Sequence, residues 1–383
     1  MQQTIFSAPP VDPEAELLRT EVRAFLKSEL AGRPPRKRAE SWNGFDLVFS
    51  GKLGERGWIG MTWPKRYGGH ERSALHRYVV LEEMLAAGAP VAAHWIADRQ
   101  SGPLLLKYGT EEQRQSILPR IAAGLCTFCI GMSEPGSGSD LAAARTRAQP
   151  VEGGYRVNGT KLWTTYAHRA DYMILFCRTD GGTEDRQEGT SQLLVDLKNT
   201  PGITIRPILD MSGAHHFNEV QFEDAFLPDT ALIGRRGEGW KQVMSELAFE
   251  RSGPERFLSS MALLTELVRA LEQAPSDRGA IALGRLTAHL IVLRRMSRSV
   301  AGMLQNGDNP ALQASLVKDL GATFEQEIPE ITRQLVEAEP EALSTREFSA
   351  VLARTLMDAP CFSLRGGTRE ILRGIIARGL GVR

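Results

Sequence analysis

The stretch Met132-Ser-Glu-Pro-Gly-Ser-Gly-Ser-Asp140 is followed by Tyr155-Arg-Val-Asn-Gly159 and then by Thr160-Lys-Leu-Trp-Thr-Thr165. The small residues of the first stretch leave backbone N–H groups open to a bulky anionic or planar ligand. Trp163 adds an aromatic face with hydroxyl groups close to it. Asn158-Gly159 predicts a two-residue hairpin turn that places Trp163 on a strand. Together the segments predict a cofactor site built on one sheet.

The composition of the chain bounds the class of protein. Its 383 residues are 42% hydrophobic and 24% charged, which is typical of a soluble globular protein with two or three packed units. The 46 basic and 46 acidic residues leave no net charge, so neither a nucleic-acid nor a membrane partner is expected. The sequence begins without a basic and apolar leader pattern, and no apolar run is long enough to span a bilayer. These features predict a cytoplasmic protein.

Several patterns that often carry chemistry are interpreted as structural. Cys126-Thr-Phe-Cys129 has the spacing of a redox or half-zinc motif, but no second Cys or His pair lies near it in the sequence. His215 and His216 are adjacent on an expected strand and therefore point to opposite faces, where they cannot bind one ion together. Ser133 lacks the second glycine of a hydrolase nucleophile elbow, because Pro135 takes that position. Neither a metal site nor a hydrolase triad is predicted.

The period of the apolar residues changes twice along the chain. Up to residue 125 it is helical, as in the stripe that includes Leu18 and Val22. Next come short β-like runs with turn residues between them. The helical period then returns to the end of the chain, with breaks between helices predicted at 273–279 and 306–310. The pattern predicts an α+β protein with an N-terminal helical domain (1–125), a middle antiparallel β-barrel or sandwich (126–236) and a C-terminal helical bundle (237–383).

Five motifs in a fixed order resemble those of the acyl-CoA dehydrogenase family, and they extend over most of the chain. They are Met132-Ser-Glu-Pro-Gly-Ser-Gly-Ser-Asp140, Asn158-Gly-Thr-Lys-Leu-Trp-Thr-Thr165, Phe222-Glu-Asp-Ala-Phe-Leu-Pro228, Gly237-Glu-Gly-Trp240 and Gly367-Thr-Arg-Glu-Ile371. The resemblance implies a helical domain, a β domain and a C-terminal four-helix bundle. The periodicity predicts the same order independently.

The resemblance also implies bound FAD and an acyl-CoA substrate. The positions that match flavin contacts are Met132 and Ser133 at the flavin edge, Trp163 over a ring face, Thr165 near N5, and Thr368 and Glu370 beside the diphosphate. The positions that match acyl-CoA contacts are Ser139, Arg251 and Gly367. The implied reaction is α,β-dehydrogenation to the trans-2-enoyl-CoA, after which the electrons pass to an electron-transfer flavoprotein.

The position of the catalytic base is inferred from the resemblance as well. Many relatives have a Glu immediately before the C-terminal Gly-Thr pair, but here that residue is Gly366. A second pattern, found in isovaleryl and long-chain types, places the Glu before an Arg, and Glu250-Arg251 matches it. Glu250 is therefore the predicted base, with Glu246 as the next candidate. An ordinary ion-paired or helix-surface role for Glu250 stays open. Gly366 also hints at extra room for the acyl group.

Two departures from the family pattern bear on assembly. The segments 276–281 and 338–348 replace an Arg-x-x-Phe-Gly motif and a Gln-x-x-Gly-Gly-x-Gly motif that reach FAD across a subunit interface in relatives. This loss resembles bacterial dehydrogenases of steroid side chains, some of which assemble from two unlike chains. The expectation is a dimer of dimers, either a homotetramer or a heterotetramer. Two alternatives remain: a subunit with weak or shared FAD sites, and a flavin oxidase or monooxygenase on the same fold.

Overall fold

The computed structural model describes residues 6–7, 9, 12–340, 343 and 345–382, with only the backbone of 246–250 described in the last turns of one helix. The chain divides into two compact units. The first comprises Met1–Phe49, Arg72–Ala92 and Ala248–Arg383, and the second comprises Ser50–Glu71 and Ala93–Leu247. Within the described part of the chain, no helix combines the length and apolar character that crossing a bilayer requires.

The α-helices, in chain order, are α1 (Pro13–Glu29), α2 (Pro35–Arg38), α3 (Leu47–Glu55), α4 (Ala74–Ala86), α5 (Ala92–Ile96), α6 (Gly102–Tyr108), α7 (Glu111–Ala122), α8 (Gly239–Glu250), α9 (Met261–Gln273), α10 (Asp277–Gln305), α11 (Ala311–Ala338), α12 (Arg346–Phe362) and α13 (Arg369–Gly379). The strands are β1 (Phe128–Gly131), β2 (Arg147–Val151), β3 (Gly154–Thr165), β4 (Tyr172–Arg178), β5 (Thr190–Asp196), β6 (Ile203–Ile208), β7 (Phe217–Pro228) and β8 (Leu232–Ile233). This order of helices, strands and helices agrees with the predicted α+β class.

Local sequence explains where the long helices begin. Asp12 accepts hydrogen bonds from the N–H groups of Glu14 and Ala15 at the start of α1, at 3.1 and 3.2 Å. Ser276 accepts from the N–H of Gly279 at 3.0 Å and starts α10. Such caps satisfy N–H groups that the helix itself leaves free. The Pro and Gly breaks of the sequence therefore separate α9, α10 and α11 as predicted.

The first unit is helical. In it α1 packs on α4, and α9, α10, α11 and α12 pack against one another as a C-terminal bundle requires. An ion cluster around the buried Glu82 joins three helices, because Glu82 of α4 accepts from Arg19 of α1 at 2.7 Å and from Arg294 of α10 at 2.6 Å. Arg19 also pairs with Glu83. Burial raises the pKa of Glu82, but the two arginines outweigh burial and hold that pKa below its ordinary value.

The second unit contains the sheet. In the described residues its strand order is β6-β7-β3-β2-β4-β5-β8, and β1 pairs with β4. Most neighbours are antiparallel, but β1 runs parallel to β4, so the sheet is mixed where the sequence predicts an antiparallel one. The core of the sheet consists of buried apolar side chains that include Cys129, Val157, Met173, Cys177, Leu193, Val220 and Phe222.

The predicted hairpin turn at Asn158-Gly159 is wrong. Both residues lie inside β3, and the turn between β2 and β3 is Glu152-Gly153, because Val151 pairs with Gly154. The side chain of Asn158 accepts the N–H of Asp224 at 2.8 Å, where an extra residue bulges from β7. Gly159 is required because a Cβ there would lie 2.6 Å from the Thr146 hydroxyl. The placement of Trp163 on a strand is confirmed.

The three cysteines of the second unit, Cys126, Cys129 and Cys177, are buried and unpaired by disulfides, which agrees with their predicted structural role. Burial raises the pKa of Cys126 and Cys177 to about 12 and also raises that of Cys129. Among the described side chains there is no cluster of three or more His, Cys, Asp or Glu residues that could hold a metal ion. His215 stacks on His168 with ring centroids 3.8 Å apart, while His216 pairs with Asp210 at 2.8 Å.

Candidate functional site

The loop 132–140 follows β1 and is fastened to β3. The Leu162 N–H donates to the Ser133 carbonyl at 2.8 Å, and the Lys161 ammonium donates to the Met132 carbonyl at 3.1 Å. Met132 and Ser133 are half-buried. The loop and the Trp163 strand therefore lie side by side, as the sequence predicts.

Beneath the loop lies a buried ion pair that the sequence analysis missed. Lys161 has no solvent exposure, and its Nζ lies 2.7 Å from Glu134 Oε1. Glu134 also accepts the backbone N–H groups of Arg145 at 2.6 Å and Thr146 at 2.9 Å. Burial raises the pKa of Glu134, but Lys161 and these N–H groups hold it below its ordinary value. The Glu134 carboxylate thus joins both ends of the segment 134–146.

Trp163 stands on a bulge of β3. Lys161 pairs with Val220 and Thr164 with Asn218, so β3 has one residue more than β7 between these pairs. Trp163 has φ +58, and its side chain is 58% exposed. A left-handed backbone is a rare conformation for a bulky residue and is found at functional positions. The bulge turns an aromatic face outward that a regular strand would not present.

Thr165 is the last residue of β3. It pairs with Phe217, whose ring meets Trp163 edge to face at a centroid distance of 5.9 Å. The next residue, Tyr166, is left-handed and donates its N–H to the His216 carbonyl at 2.8 Å. Thr165 is half-buried, so the strand ends with a hydroxyl residue on the same bulged segment as Trp163.

Ser139 is exposed in the Gly-Ser-rich part of the loop. Its neighbour Asp140 forms a two-pronged ion pair with Arg186, at 2.7 and 3.1 Å, and Ser137 donates to the Asp140 carbonyl at 2.7 Å. Both charged groups of the ion pair are half exposed, so it adds little stability. The loop is ordered by its own hydrogen bonds and leaves Ser139 accessible to a ligand.

The second group of predicted residues lies in the other unit, at the start of α13. Gly366 and Gly367 are left-handed, at φ +68 and +95, and Thr368 precedes the first turn of the helix. The N-terminus of an α-helix attracts anions through its free N–H groups and its dipole. Glu370 is fully exposed in that first turn, and its own N–H and the Thr368 hydroxyl lower its pKa. An ionised Glu370 suits a hydroxyl partner better than a phosphate.

Two buried arginines contact the glycine pair. Arg251 Nε donates to the Gly366 carbonyl at 3.2 Å. The Arg256 guanidinium, 1% exposed, would lie 2.9 Å from a Cβ added at Gly366. The extra room that Gly366 suggested is therefore not found, because Arg256 fills the space in which a side chain would begin. Arg251 and Gly367, both predicted to contact acyl-CoA, lie together.

The side chain of the predicted base, Glu250, lies outside the described residues, and so does that of Glu246. The backbone of Glu250 is the last residue of α8, directly before Arg251. The structure therefore brings together Met132, Ser133, Trp163 and Thr165 in one unit and Arg251, Gly367 and Thr368 in the other. The roles of these residues, and of Ser139 and Glu370, stay predictions.

The N-terminal, middle and C-terminal domains described for acyl-CoA dehydrogenases match residues 12–125, 129–225 and 237–381 of this sequence. The chain belongs to the acyl-CoA dehydrogenase family. It is thus an oxidoreductase of a family that dehydrogenates acyl-CoA thioesters and generally depends on FAD. The predicted family, fold class and enzyme class are confirmed, while the domain boundaries 125/126 and 236/237 stay predictions.

Three similar proteins show that the similarity extends over nearly the whole chain. Acyl-CoA dehydrogenase IpdE1 of Mycobacterium tuberculosis is 32% identical over 385 residues, covering 96% of this chain and 98% of that protein. The steroid ACAD Tcur3481-Tcur3483 superposes with a TM-score of 0.85 at 26% identity, covering 97% and 98% of the two chains. The ChsE4-ChsE5 complex of Mycobacterium tuberculosis has a TM-score of 0.82 at 30% identity, covering 98% and 99%.

The residues present fit a flavin dinucleotide. Among the described residues the Ser133 N–H makes no hydrogen bond, and the Ser133 carbonyl is held by the N–H of Leu162, the residue before the exposed Trp163. A planar ligand with carbonyl groups can use such a set of donors and an aromatic face. The helix N-terminus behind two glycines suits a diphosphate. Each group, taken by itself, has the chemistry to bind one part of FAD.

Proposed function

We propose that this chain binds FAD and converts an acyl-CoA thioester into its trans-2-enoyl-CoA, with Glu250 as the base. The observation that carries the proposal is the bulged Trp163 segment fastened to the Met132–Ser133 loop. It supplies an exposed aromatic face and hydrogen-bond donors on a rigid strand, which a site for a planar cofactor needs. Family membership supports the reaction type, and the site supports the cofactor.

Each residue of the proposed site has a distinct role. Trp163 covers one face of the isoalloxazine ring, while the Ser133 and Thr165 groups donate hydrogen bonds at its edge. Thr368, at the start of α13, holds the diphosphate, and Glu370 holds a hydroxyl of the cofactor. Ser139, Arg251 and Gly367 hold the acyl-CoA. When bound, FAD supplies the acceptor for the hydride that leaves the β-carbon.

Glu250 removes the proton from the α-carbon in this proposal. Two facts support it: the family's alternative base position is Gly366, and Gly366 is left-handed and packed against Arg256. A glutamate at that position would be strained and would face a guanidinium. Arg251, next to Glu250 in sequence, is anchored to the Gly366 carbonyl, so the helix end that carries Glu250 is tied to the glycine pair.

An anaerobic titration with acyl-CoA thioesters tests this function. Purified chain loaded with FAD is mixed with isovaleryl-CoA, palmitoyl-CoA and a steroid-side-chain CoA, and the visible flavin band is recorded. We expect at least one thioester to bleach the band with the wild type and none with Glu250→Gln. Glu246→Gln separates the two candidate bases, because a thioester should still bleach the flavin band of this variant. Bleaching of Glu250→Gln at the wild-type rate would refute the assignment.

The relatives that consist of two different chains favour a second candidate, a subunit of a heteromeric acyl-CoA dehydrogenase. ChsE4-ChsE5 is a complex of two differently named proteins, and the steroid ACAD Tcur3481-Tcur3483 is likewise named as a pair. We propose a dimer of dimers that passes its electrons to an electron-transfer flavoprotein. Native mass spectrometry of the isolated chain distinguishes the candidates: a homotetramer with four FAD supports the first, and a colourless species supports the second. Rapid oxygen consumption would instead indicate an oxidase or monooxygenase.

A further inference from the structure

The Lys161–Glu134 pair is unusual because both charges are buried under the Met132–Ser133 loop. Lys161 is fully buried in β3 and donates to Glu134 at 2.7 Å and to the Met132 carbonyl at 3.1 Å. The Glu134 carboxylate also accepts hydrogen bonds from the backbone N–H groups of Arg145 and Thr146. One ammonium and one carboxylate thus fix both ends of the segment 134–146 and the peptide that precedes it.

Stability alone does not account for this arrangement. Removing two charges from water is costly, and well-packed apolar residues of similar volume often stabilise a core as well or better. What apolar residues cannot do is hold a backbone carbonyl in one direction. The pair therefore contributes orientation to the Met132–Ser133 peptide.

The orientation has a consequence on the opposite side of that peptide. In a trans peptide the C=O of one residue and the N–H of the next point in opposite directions. Because Lys161 binds the Met132 carbonyl, the Ser133 N–H points away from Lys161. The Leu162 N–H binds the Ser133 carbonyl at 2.8 Å and fixes the following peptide too. A cation on the carbonyl also polarises the peptide and strengthens its N–H as a donor.

We propose that Lys161 and Glu134 are positioning residues that aim the Ser133 N–H at an acceptor group of the flavin. The inference rests on the proposed FAD site and names the residues that shape it. The ligand atom must be an electron-rich carbonyl oxygen or ring nitrogen, because the group offered to it is a single polarised N–H.

The test compares the full-length wild type with Lys161→Met, Glu134→Gln and the double variant Lys161→Met/Glu134→Gln. Met keeps an unbranched stem, one heavy atom shorter than that of Lys, without the charge, and the double variant leaves no buried charge unpaired. The matched control is Asp171→Asn, because Asp171 also accepts a backbone N–H, that of Thr127 at 2.8 Å, before the opposite end of β1. Two quantities are measured: the Kd for FAD by flavin fluorescence, and the hydrogen-exchange rate of the Leu162 amide in chain without added FAD.

We expect both single variants and the double variant to bind FAD about tenfold more weakly, the effect of losing one strong hydrogen bond. The Leu162 amide should exchange at least about tenfold faster in all three. The thermal midpoint of the double variant should lie closer to wild type than that of Lys161→Met, while its FAD affinity stays low. Asp171→Asn should keep the wild-type Kd.

Recovery of FAD affinity together with stability in the double variant would overturn the proposal, since the pair would then serve folding alone. A wild-type chain without FAD affinity would refute the proposed function instead. In that case the hydrogen-exchange rate of the Leu162 amide still tests whether Lys161 and Glu134 position the peptide. Faster exchange in the double variant supports positioning, and an unchanged rate overturns the proposal.

Discussion

Replacing Gly366 tests why the catalytic base cannot lie before the C-terminal Gly-Thr pair. Gly366→Ala forces a side chain into a left-handed residue at φ +68, which costs about 1–2 kcal/mol. The new Cβ would lie 2.9 Å from the Arg256 Nη2 and 3.1 Å from its Cζ. Because Arg256 is buried, overpacking adds about 1–3 kcal/mol. Gly366→Ala should therefore lower the free energy of unfolding by about 2–5 kcal/mol in total.

Gly307→Ala is the matched control for this substitution. Gly307 has φ +82 in the same unit, and nothing lies within 4 Å of an added Cβ. Gly307→Ala should therefore be destabilised only by the strained backbone conformation. Thermal unfolding followed by circular dichroism should place the midpoint of Gly366→Ala several degrees below that of Gly307→Ala, at about 2–4 °C per kcal/mol. Equal midpoints would show that Arg256 yields freely and would refute the steric argument.

The same contact predicts the outcome of moving the base. In the double variant Glu250→Gln/Gly366→Glu, strain and the Arg256 guanidinium should keep the new carboxylate from a productive position. We expect kcat to stay below about 1% of wild type, because removal of a general base typically costs about 10²–10⁴-fold. Recovery of more than about a tenth of wild-type kcat would contradict the geometry described for Gly366.

Three other predictions test separate parts of the structure. Trp163→Ala should weaken FAD binding by about 1–3 kcal/mol, as lost stacking does, while the thermal midpoint stays within about 1 °C because the side chain is exposed; fluorescence titration and calorimetry measure both. Glu82 has a folded pKa below the unfolded value of 4.5, so it stabilises the protein above that pH and the benefit is lost as the pH falls below it. Glu82→Gln should therefore lower the free energy of unfolding by about 3–5 kcal/mol at pH 7, and this loss should shrink as the pH falls through the folded pKa of Glu82; denaturant unfolding of both proteins across the acid range measures it. In the native protein a thiol reagent at pH 8 should modify Cys361 alone, and mass spectrometry that finds a label on Cys129 would contradict the buried sheet core.

The sequence predicted the parts of the fold that follow from local pattern. Helical periodicity and the breaks near Ser276 and Pro310 mark the helices, because each helix needs a cap and an apolar face from its own residues. The Asn158-Gly159 turn was wrong because the same dipeptide also fits a bulge, and only the pairing of β3 with β7 distinguishes the two. Pairing between distant strands leaves no local signal.

The candidate site was predictable in its residues but not in what holds them. Motif order identified Met132, Ser133 and Trp163, and the structure places them on adjoining segments. The buried Lys161–Glu134 pair was missed, because a lysine in a strand normally faces water and its burial depends on the packing of the whole sheet. Arg256 was missed for the same reason.

In the proposed reaction Glu250 takes the α-proton of an acyl-CoA while the thioester loses two hydrogens. A single turnover under anaerobic conditions, with FAD-loaded chain and a thioester deuterated at the α-carbon, measures it directly by mass spectrometry of the CoA product. We expect an enoyl-CoA from the wild type, and neither enoyl-CoA nor loss of α-deuterium from Glu250→Gln. Enoyl-CoA formation by Glu250→Gln at the wild-type rate would contradict it.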